Sequence, residues 1–196
     1  MPSIGILILA AGTSARMGQP KQLLPWKGTT LLNHTLKNAK AISSDVLVVL
    51  GASAKRIAAQ LPSDVPSVLN SKWQSGMGTS IAIGTAELES SISPEFILIL
   101  VADQPLLDQT YFEEILRASK QQPTHIVATS YQGKAGVPAL FPRHFFAALK
   151  QLGGDHGARH LMRENAEKIA LVESEGKAID LDTPENYQSY FKRYGQ

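Results

Sequence analysis

Arg16 and Lys21 stand in the stretch "LILAAGTSARMGQPKQLLPWKG", which begins at Leu7 and runs from small apolar residues into a glycine-bearing loop. Ala10, Ala11, Gly12, Thr13 and Ser14 are small enough to let a ligand approach the main chain. Free N–H groups in such a loop cradle phosphate oxygens, and the two cations add charge-assisted bonds. The chemistry this points to is polyphosphate binding. The spacing Gly12-x5-Gly18-x2-Lys21 is not that of a Walker A loop, and no GxGxxG is present. On glycine and charge alone, a solvated surface turn is an equal alternative.

Carboxylates stand at two other places. Asp103 ends the apolar run "FILILVA" ahead of Gln104 and Pro105. A carboxylate there suits Mg²⁺, which takes one or two carboxylates plus substrate phosphates; an Asx-type turn is the competing reading. In "AIDLDTPENY", Asp180 and Asp182 alternate with Ile179 and Leu181, so a strand would carry both acids on one side. Asp182 is the second candidate metal ligand, or else compensates the dipole of the helix that follows. The stretch "NSKWQSGMGTSIAIG" offers Asn70, Gln74, Ser75, Gly76, Gly78 and Ser80 to a base or ribose, with capping by Thr79 or Ser80 as the alternative. In "GGDHGARHLM", Arg159 is available to an anion. His156 and His160 have metal-like spacing but no third ligand, so they read as exposed histidines. Trp26 and Trp73 read as packing or cleft-wall residues.

These residues need strands to end beside one another. "IGILILA", "DVLVVLG", "SVLN", "FILILV", "HIVATSY", "GVPALF", "KIALVES" and "KAIDLD" read as strands. Helical patterns lie near "TTLLNHTLKNAKAI", after "DVLVVLG", over "GTSIAIGTAELES", near "HFFAALKQL" and near "GARHLMREN". Two more are marked by caps: Thr110 with Glu113 as a capping box, and Thr183 with Pro184 at the first helical position. Continuous Val/Ile/Leu runs alternating with helices imply an α/β fold of three layers, α/β/α, with a mostly parallel sheet. Ligands in such folds bind beyond the carboxyl ends of the strands.

At 196 residues, with no linker or repeat, the chain 1–196 reads as a single domain. The absence of cysteine excludes disulfides, thiolate metal sites and a Cys nucleophile, and fits a cytoplasmic location. A net charge of +2, few aromatics and no basic stripe argue against nucleic acid as partner. The apolar run Ile4 to Ala11 is short and lacks a basic flank, so it reads as a buried strand and not a signal peptide. No stretch is long enough to span a membrane.

Together these segments resemble the nucleotidyltransferases with a Rossmann-like fold, the nucleotide-diphospho-sugar transferase type. More narrowly, the chain is similar to the molybdenum cofactor cytidylyltransferases, MobA-like NTP transferases. The likeness rests on "LAAGTSARMGQPKQLL", Asn70 with "SGMGTS", "VADQP", "GKAGVPALF", "GGDHGAR" and "DLDTPENY" in that order. It implies transfer of CMP from CTP to molybdopterin with release of pyrophosphate, and Mg²⁺ held by Asp103 and Asp182. Leu9, Ala10, Ala11 and Gly12 would lie along base and ribose. Thr13 and Ser14 belong to the loop wrapping the triphosphate, which Arg16 and Lys21 neutralise. Ser75, Gly76 and Ser80 complete the nucleotide side. Gly136, Pro138, Asp155, Gly157 and Arg159 would face the acceptor. Guanylyl-transferring relatives typically show "LAGG" where this chain has Leu9-Ala10-Ala11-Gly12, so Ala11 favours cytidine. Asn186 replaces the second acid common in the final motif. A molybdoenzyme or its chaperone would receive the product. Use of GTP, a sugar-phosphate acceptor, or a silent nucleotide-binding chaperone are the alternatives.

Overall fold

The computed structural model describes residues 2–155 and 157–196. The first half of the chain supplies β1 (Ile4–Ala10), a small hairpin of β2 (Pro25–Trp26) and β3 (Thr29–Thr30), α1 (Leu31–Lys40), β4 (Val46–Leu50), α2 (Ala54–Ala58), β5 (Ser67–Leu69), α3 (Met77–Ser91) and β6 (Phe96–Val101). The second half adds α4 (Gln109–Gln121), β7 (Ile126–Tyr131), β8 (Lys134–Pro142), α5 (Phe146–Lys150), α6 (Arg159–Glu164), β9 (Ile169–Glu173) and α7 (Pro184–Tyr190).

Seven strands form one sheet in the order β5-β4-β1-β6-β8-β7-β9. β1 pairs in parallel with β4 and with β6, whereas β8 runs antiparallel to both β6 and β7. The sheet is thus mostly parallel with one reversed strand. Successive residues of β1 face opposite layers, as the pleat requires. Ile6, Ile8 and Ala10 join Leu32 and Leu36 of α1, Ile57 of α2, and Phe112 and Ile115 of α4. Leu7 and Leu9 join Ile81 of α3, Leu149 of α5 and Met162 of α6 on the other face. This two-sided cover explains why β1, β4 and β6 read as unbroken apolar runs.

The chain order reverses at β1, since β4 and β5 extend to one side and β6 begins the other. Leu9 is level with Val49 and with Val101, so the segments after β1 and β6 leave the sheet side by side. That crevice is the switch point at which open α/β sheets bind ligands.

Two local expectations need correction. Residues 177–182 form no strand, because Glu175 and Gly176, at φ 51° and 78°, turn the chain out of the sheet after β9. The alternation survives for a different reason: Leu181 is fully buried and Ile179 packs beside it in a third apolar cluster, while the acids between stay accessible. α4 is capped by Asp108, whose Oδ1 accepts the Tyr111 N–H at 3.1 Å, and not by Thr110, which lies in the first turn. A carboxylate two residues earlier takes the role from the hydroxyl. Thr183 caps α7 as expected, with Pro184 following. Among the described residues no helix is long and apolar enough to cross a membrane.

Candidate active site

The loop after β1 is set from beneath by one side chain. Leu9, Ala10 and Ala11 are buried in the core, so what they present to a cleft is main chain. The Ala11 carbonyl is taken by the Ala52 N–H at 3.1 Å. Gly12 and Thr13 are exposed, Ser14 turns the chain at φ 55°, and a single helical turn, Ala15–Met17, ends at Gly18 in the left-handed region. Gln22 is buried inside this bend. Its Nε2 donates to the Ala10 and Gly12 carbonyls, each at 3.3 Å, and its Oε1 accepts from the Ser14 hydroxyl at 3.3 Å. The Lys21 N–H closes the ring on Ser14 Oγ at 3.1 Å. Carbonyls are thereby consumed on the inner side of the loop. Gln22 was not singled out in the sequence, where it is one more polar residue beside Lys21; only its burial reveals it.

Arg16, Lys21, Asp103 and Asp182 meet in one cluster. Lys21 Nζ donates to Asp103 Oδ2 and to Asp182 Oδ1, the latter at 2.6 Å, and Arg16 donates to Asp182 Oδ2 at 2.7 Å. Met17 and Leu181 share the third apolar cluster, so their chain neighbours Arg16 and Asp182 are brought face to face. Leu181 N–H also donates to the Asp103 carbonyl at 2.9 Å, tying residues 177–182 across the end of β6.

The electrostatics differ from residue to residue. Burial works against the Lys21 ammonium, but Asp103 and then Asp182 outweigh it and hold its pKa above the ordinary lysine value. Burial pushes the Asp103 carboxyl above the usual range; Lys21 opposes this and Asp180 adds to it. At Asp182 burial is overcome by Lys21 and then Arg16, and the carboxyl stays below its usual range. Asp103 Oδ1 is buried and has no hydrogen-bond partner. A divalent cation fits these residues, because two carboxylates converge on one ammonium and Asp103 keeps an oxygen without a partner. Among the described residues no three acids, histidines or cysteines form a complete cage. That donor set suits a cation completing its shell from phosphates and water, as Mg²⁺ does.

Asp180 belongs to a neighbouring chain of bonds. Buried Gln104 donates through Nε2 to Asp180 Oδ1 at 2.7 Å and to the Tyr131 hydroxyl at 2.5 Å, and that hydroxyl donates to the Val137 carbonyl at 2.5 Å. Burial and then the Asp180 charge raise the Tyr131 pKa, keeping the phenol a donor. Gln104 and Tyr131 were not assigned a role from the sequence either.

The opposite wall is built from two glycine loops in direct contact. Ser75 is exposed and Gly76 is buried at φ 100°. A Cβ on Gly76 would lie 2.2 Å from the Gly154 carbonyl carbon, and one on Gly78 would lie 2.6 Å from the Gly153 carbonyl oxygen. The Gly78 N–H donates to the Gly154 carbonyl at 3.0 Å. Gly76→Ala is therefore expected to separate the loops and to destabilise the fold by about 1–3 kcal/mol from backbone strain alone, read as a lower chemical-denaturation midpoint. Ser80 is buried, with its hydroxyl accepting from Asn70 Nδ2 at 2.9 Å. It sits in the wall and not on an open surface.

A cavity of about 800 Å³ opens between the β7–β8 hairpin, α6 and β9. Lys134, Arg159 and Arg163 give it positive charge, Met162 and Leu171 an apolar floor, and Asp180 an edge toward the acid cluster. Of the residues the resemblance assigned to the acceptor, Arg159 lines this cavity. Gly136 instead lies under the Tyr131 ring, where a Cβ would be 2.6 Å from Cε2. Pro138 is buried in β8. Gly157 packs on Met77, and Asp155 is exposed on the loop that meets Gly76. His156 lies outside the described residues; His160, 3.4 Å from Glu164, also lines the cavity.

Comparison with known proteins gives the family, among relatives of several different names. Residues 6–169 match the MobA-like NTP transferase domain. The purine catabolism protein PucB of Bacillus subtilis is 32% identical over 94% of this chain and 93% of its own length. Nicotine blue oxidoreductase of Paenarthrobacter nicotinovorans is 29% identical, covering 94% and 95%. The molybdenum cofactor cytidylyltransferase of Escherichia coli is 24% identical, covering 99% and 98%. Among solved structures, Rv0371c of Mycobacterium tuberculosis superposes with a TM-score of 0.84 at 27% identity, covering 97% of this chain and 98% of that one. A second structure of Rv0371c, in complex with manganese, gives 0.80 at 25% identity, covering the same shares.

Proposed function

Because the chain belongs to the MobA-like NTP transferase family and is a nucleotidyltransferase of that type, we propose that it transfers CMP from CTP to molybdopterin. The observation that carries this reading is the meeting of Lys21 with Asp103 and Asp182 at the switch point, below a loop of exposed small residues. Two cations suited to phosphates and two carboxylates suited to a metal thus share one hydrogen-bonded cluster.

In this mechanism an oxygen of the acceptor's terminal phosphate bonds to the α-phosphorus of CTP. The bond from the α-phosphorus to the bridging oxygen breaks, and its electron pair leaves with pyrophosphate. The attacking oxygen is already anionic near neutral pH, so no general base is required. Asp103 and Asp182 would hold Mg²⁺, which when bound would supply Lewis-acid neutralisation of the phosphates. Lys21 and Arg16 stabilise the charge that builds on pyrophosphate, an electrostatic contribution that counts most when preorganised. Gln22 keeps the loop in its bend while this happens. The basic cavity beside Arg159 supports an anionic acceptor, and Asp180 lies at its edge, its charge felt by Asp103.

Ala11, where guanylyl-transferring relatives typically carry glycine, is the feature that favours cytidine. Relatives named as molybdenum cofactor cytidylyltransferase and guanylyltransferase support a molybdopterin-type acceptor and leave the base to the assay. The test is pyrophosphate release with Mg²⁺, molybdopterin and either CTP or GTP, alongside a panel of sugar phosphates. Turnover is expected with CTP and molybdopterin. Preference for GTP, or for a sugar phosphate, would replace the base or acceptor in this assignment. No pyrophosphate with any pair would leave a silent nucleotide-binding protein.

A further inference from the structure

Lys21 holds the accessible oxygen of Asp103 and one oxygen of Asp182, the carboxylates a divalent cation would need; the other Asp103 oxygen is buried. Arg16 takes the other oxygen of Asp182. Two carboxylates thus face two cations, and the local charge is already balanced. A metal ion on these oxygens would stand close to the ammonium, and like charges repel strongly where water is scarce. The Lys21 side chain is 18% exposed and that of Asp103 14%, against 70% for Arg16, so Lys21 is the cation enclosed with the acids. Its four-carbon stem is flexible enough to release them. Its own N–H stays anchored on Ser14 Oγ, which keeps the residue at the phosphate loop when its head group moves.

We infer that Lys21 is a resident counter-ion, exchanged for the metal when the metal binds. In the metal-free protein it holds Asp103 and Asp182 together. On metal loading it leaves them and becomes available to the triphosphate. Metal and nucleotide are then coupled through one side chain: cation binding costs the Lys21 contacts, and those contacts are regained on phosphate. This rests on Asp103 and Asp182 being the cation ligands, and the experiment separates the two ideas.

The experiment is a titration of the purified full chain with Mn²⁺ alone, without nucleotide, following free Mn²⁺ by electron paramagnetic resonance. Lys21→Met and Lys21→Gln are expected to bind Mn²⁺ at least about fivefold more tightly than wild type, the lower end of ordinary couplings between sites. Arg16→Gln removes a charge from Asp182 alone and is expected to tighten binding less. Asp103→Asn is expected to lose the binding. If Asp103→Asn loses it but neither Lys21 variant gains affinity, the exchange is overturned and the metal site stands. If Arg16→Gln gains as much as the Lys21 variants, general repulsion accounts for the effect and the exchange is again overturned. If Asp103→Asn binds Mn²⁺ as wild type does, the metal site itself is wrong and the exchange falls with it. Where one Lys21 variant fails to fold by circular dichroism, the other decides.

Discussion

Asp103→Asn is expected to lower nucleotidyl transfer on the order of 10²-fold or more, the scale seen when one preorganised electrostatic group is lost from an active site. Asparagine keeps the shape of the side chain and removes its charge. An amide oxygen is a weaker ligand for a hard ion than a carboxylate oxygen. The same substitution is expected to leave stability within about 1 kcal/mol of wild type. Burial and the Asp180 charge disfavour the Asp103 carboxylate, so neutralising it relieves a cost while Lys21 keeps Asp182. Pyrophosphate release measures the first effect and urea denaturation the second. A variant that turns over at near wild-type rate would remove Asp103 from the catalytic centre. One that unfolds would instead show that the Lys21–Asp103 pair holds the fold together.

Lys21→Ala is expected to reduce kcat/KM for CTP by on the order of 10²-fold as well, whereas Arg16→Ala should cost clearly less. Both residues are cations of the same loop, but solvent competes with Arg16, which is 70% exposed, far more than with Lys21 at 18%. Lys21 also bridges both acids, while Arg16 touches one. Measuring kcat and KM separately adds a constraint. If Lys21 acts on charge that develops only as pyrophosphate departs, kcat falls; if it merely holds the triphosphate, KM rises alone. An Arg16 effect equal to or larger than that of Lys21 would reverse the assignment of the principal phosphate cation.

Much of this architecture was readable residue by residue. The runs at Ile4–Ala10, Val46–Leu50 and Phe96–Val101 are continuous because both faces are covered, and continuity is visible without a structure. The α7 cap at Thr183 is equally local, since the bond spans three residues. The misreadings have the opposite character. Residues 177–182 show strand periodicity because Ile179 and Leu181 enter an apolar cluster with Met17 and Trp26, residues distant in the chain. Gln22, Gln104 and Tyr131 gain their roles from burial and from distant partners, which no local pattern announces. Ser80 lies on a predicted helix start, but whether it faced a cleft or Asn70 depended on packing.

The sequence by itself determined the inventory and its address: small residues and two cations after the first strand, a carboxylate ending the β6 run, and an acid pair near the last helix. Those are consequences of strand length, turn chemistry and capping, which act over a few residues. Only the tertiary structure decided that Lys21 and Asp182, 161 residues apart, share a hydrogen bond, and that Lys21 bridges both acids. The reason is that strand order and the burial of Met17 with Leu181 are settled by packing the whole chain at once. Charge placement then follows from which apolar neighbours are buried together.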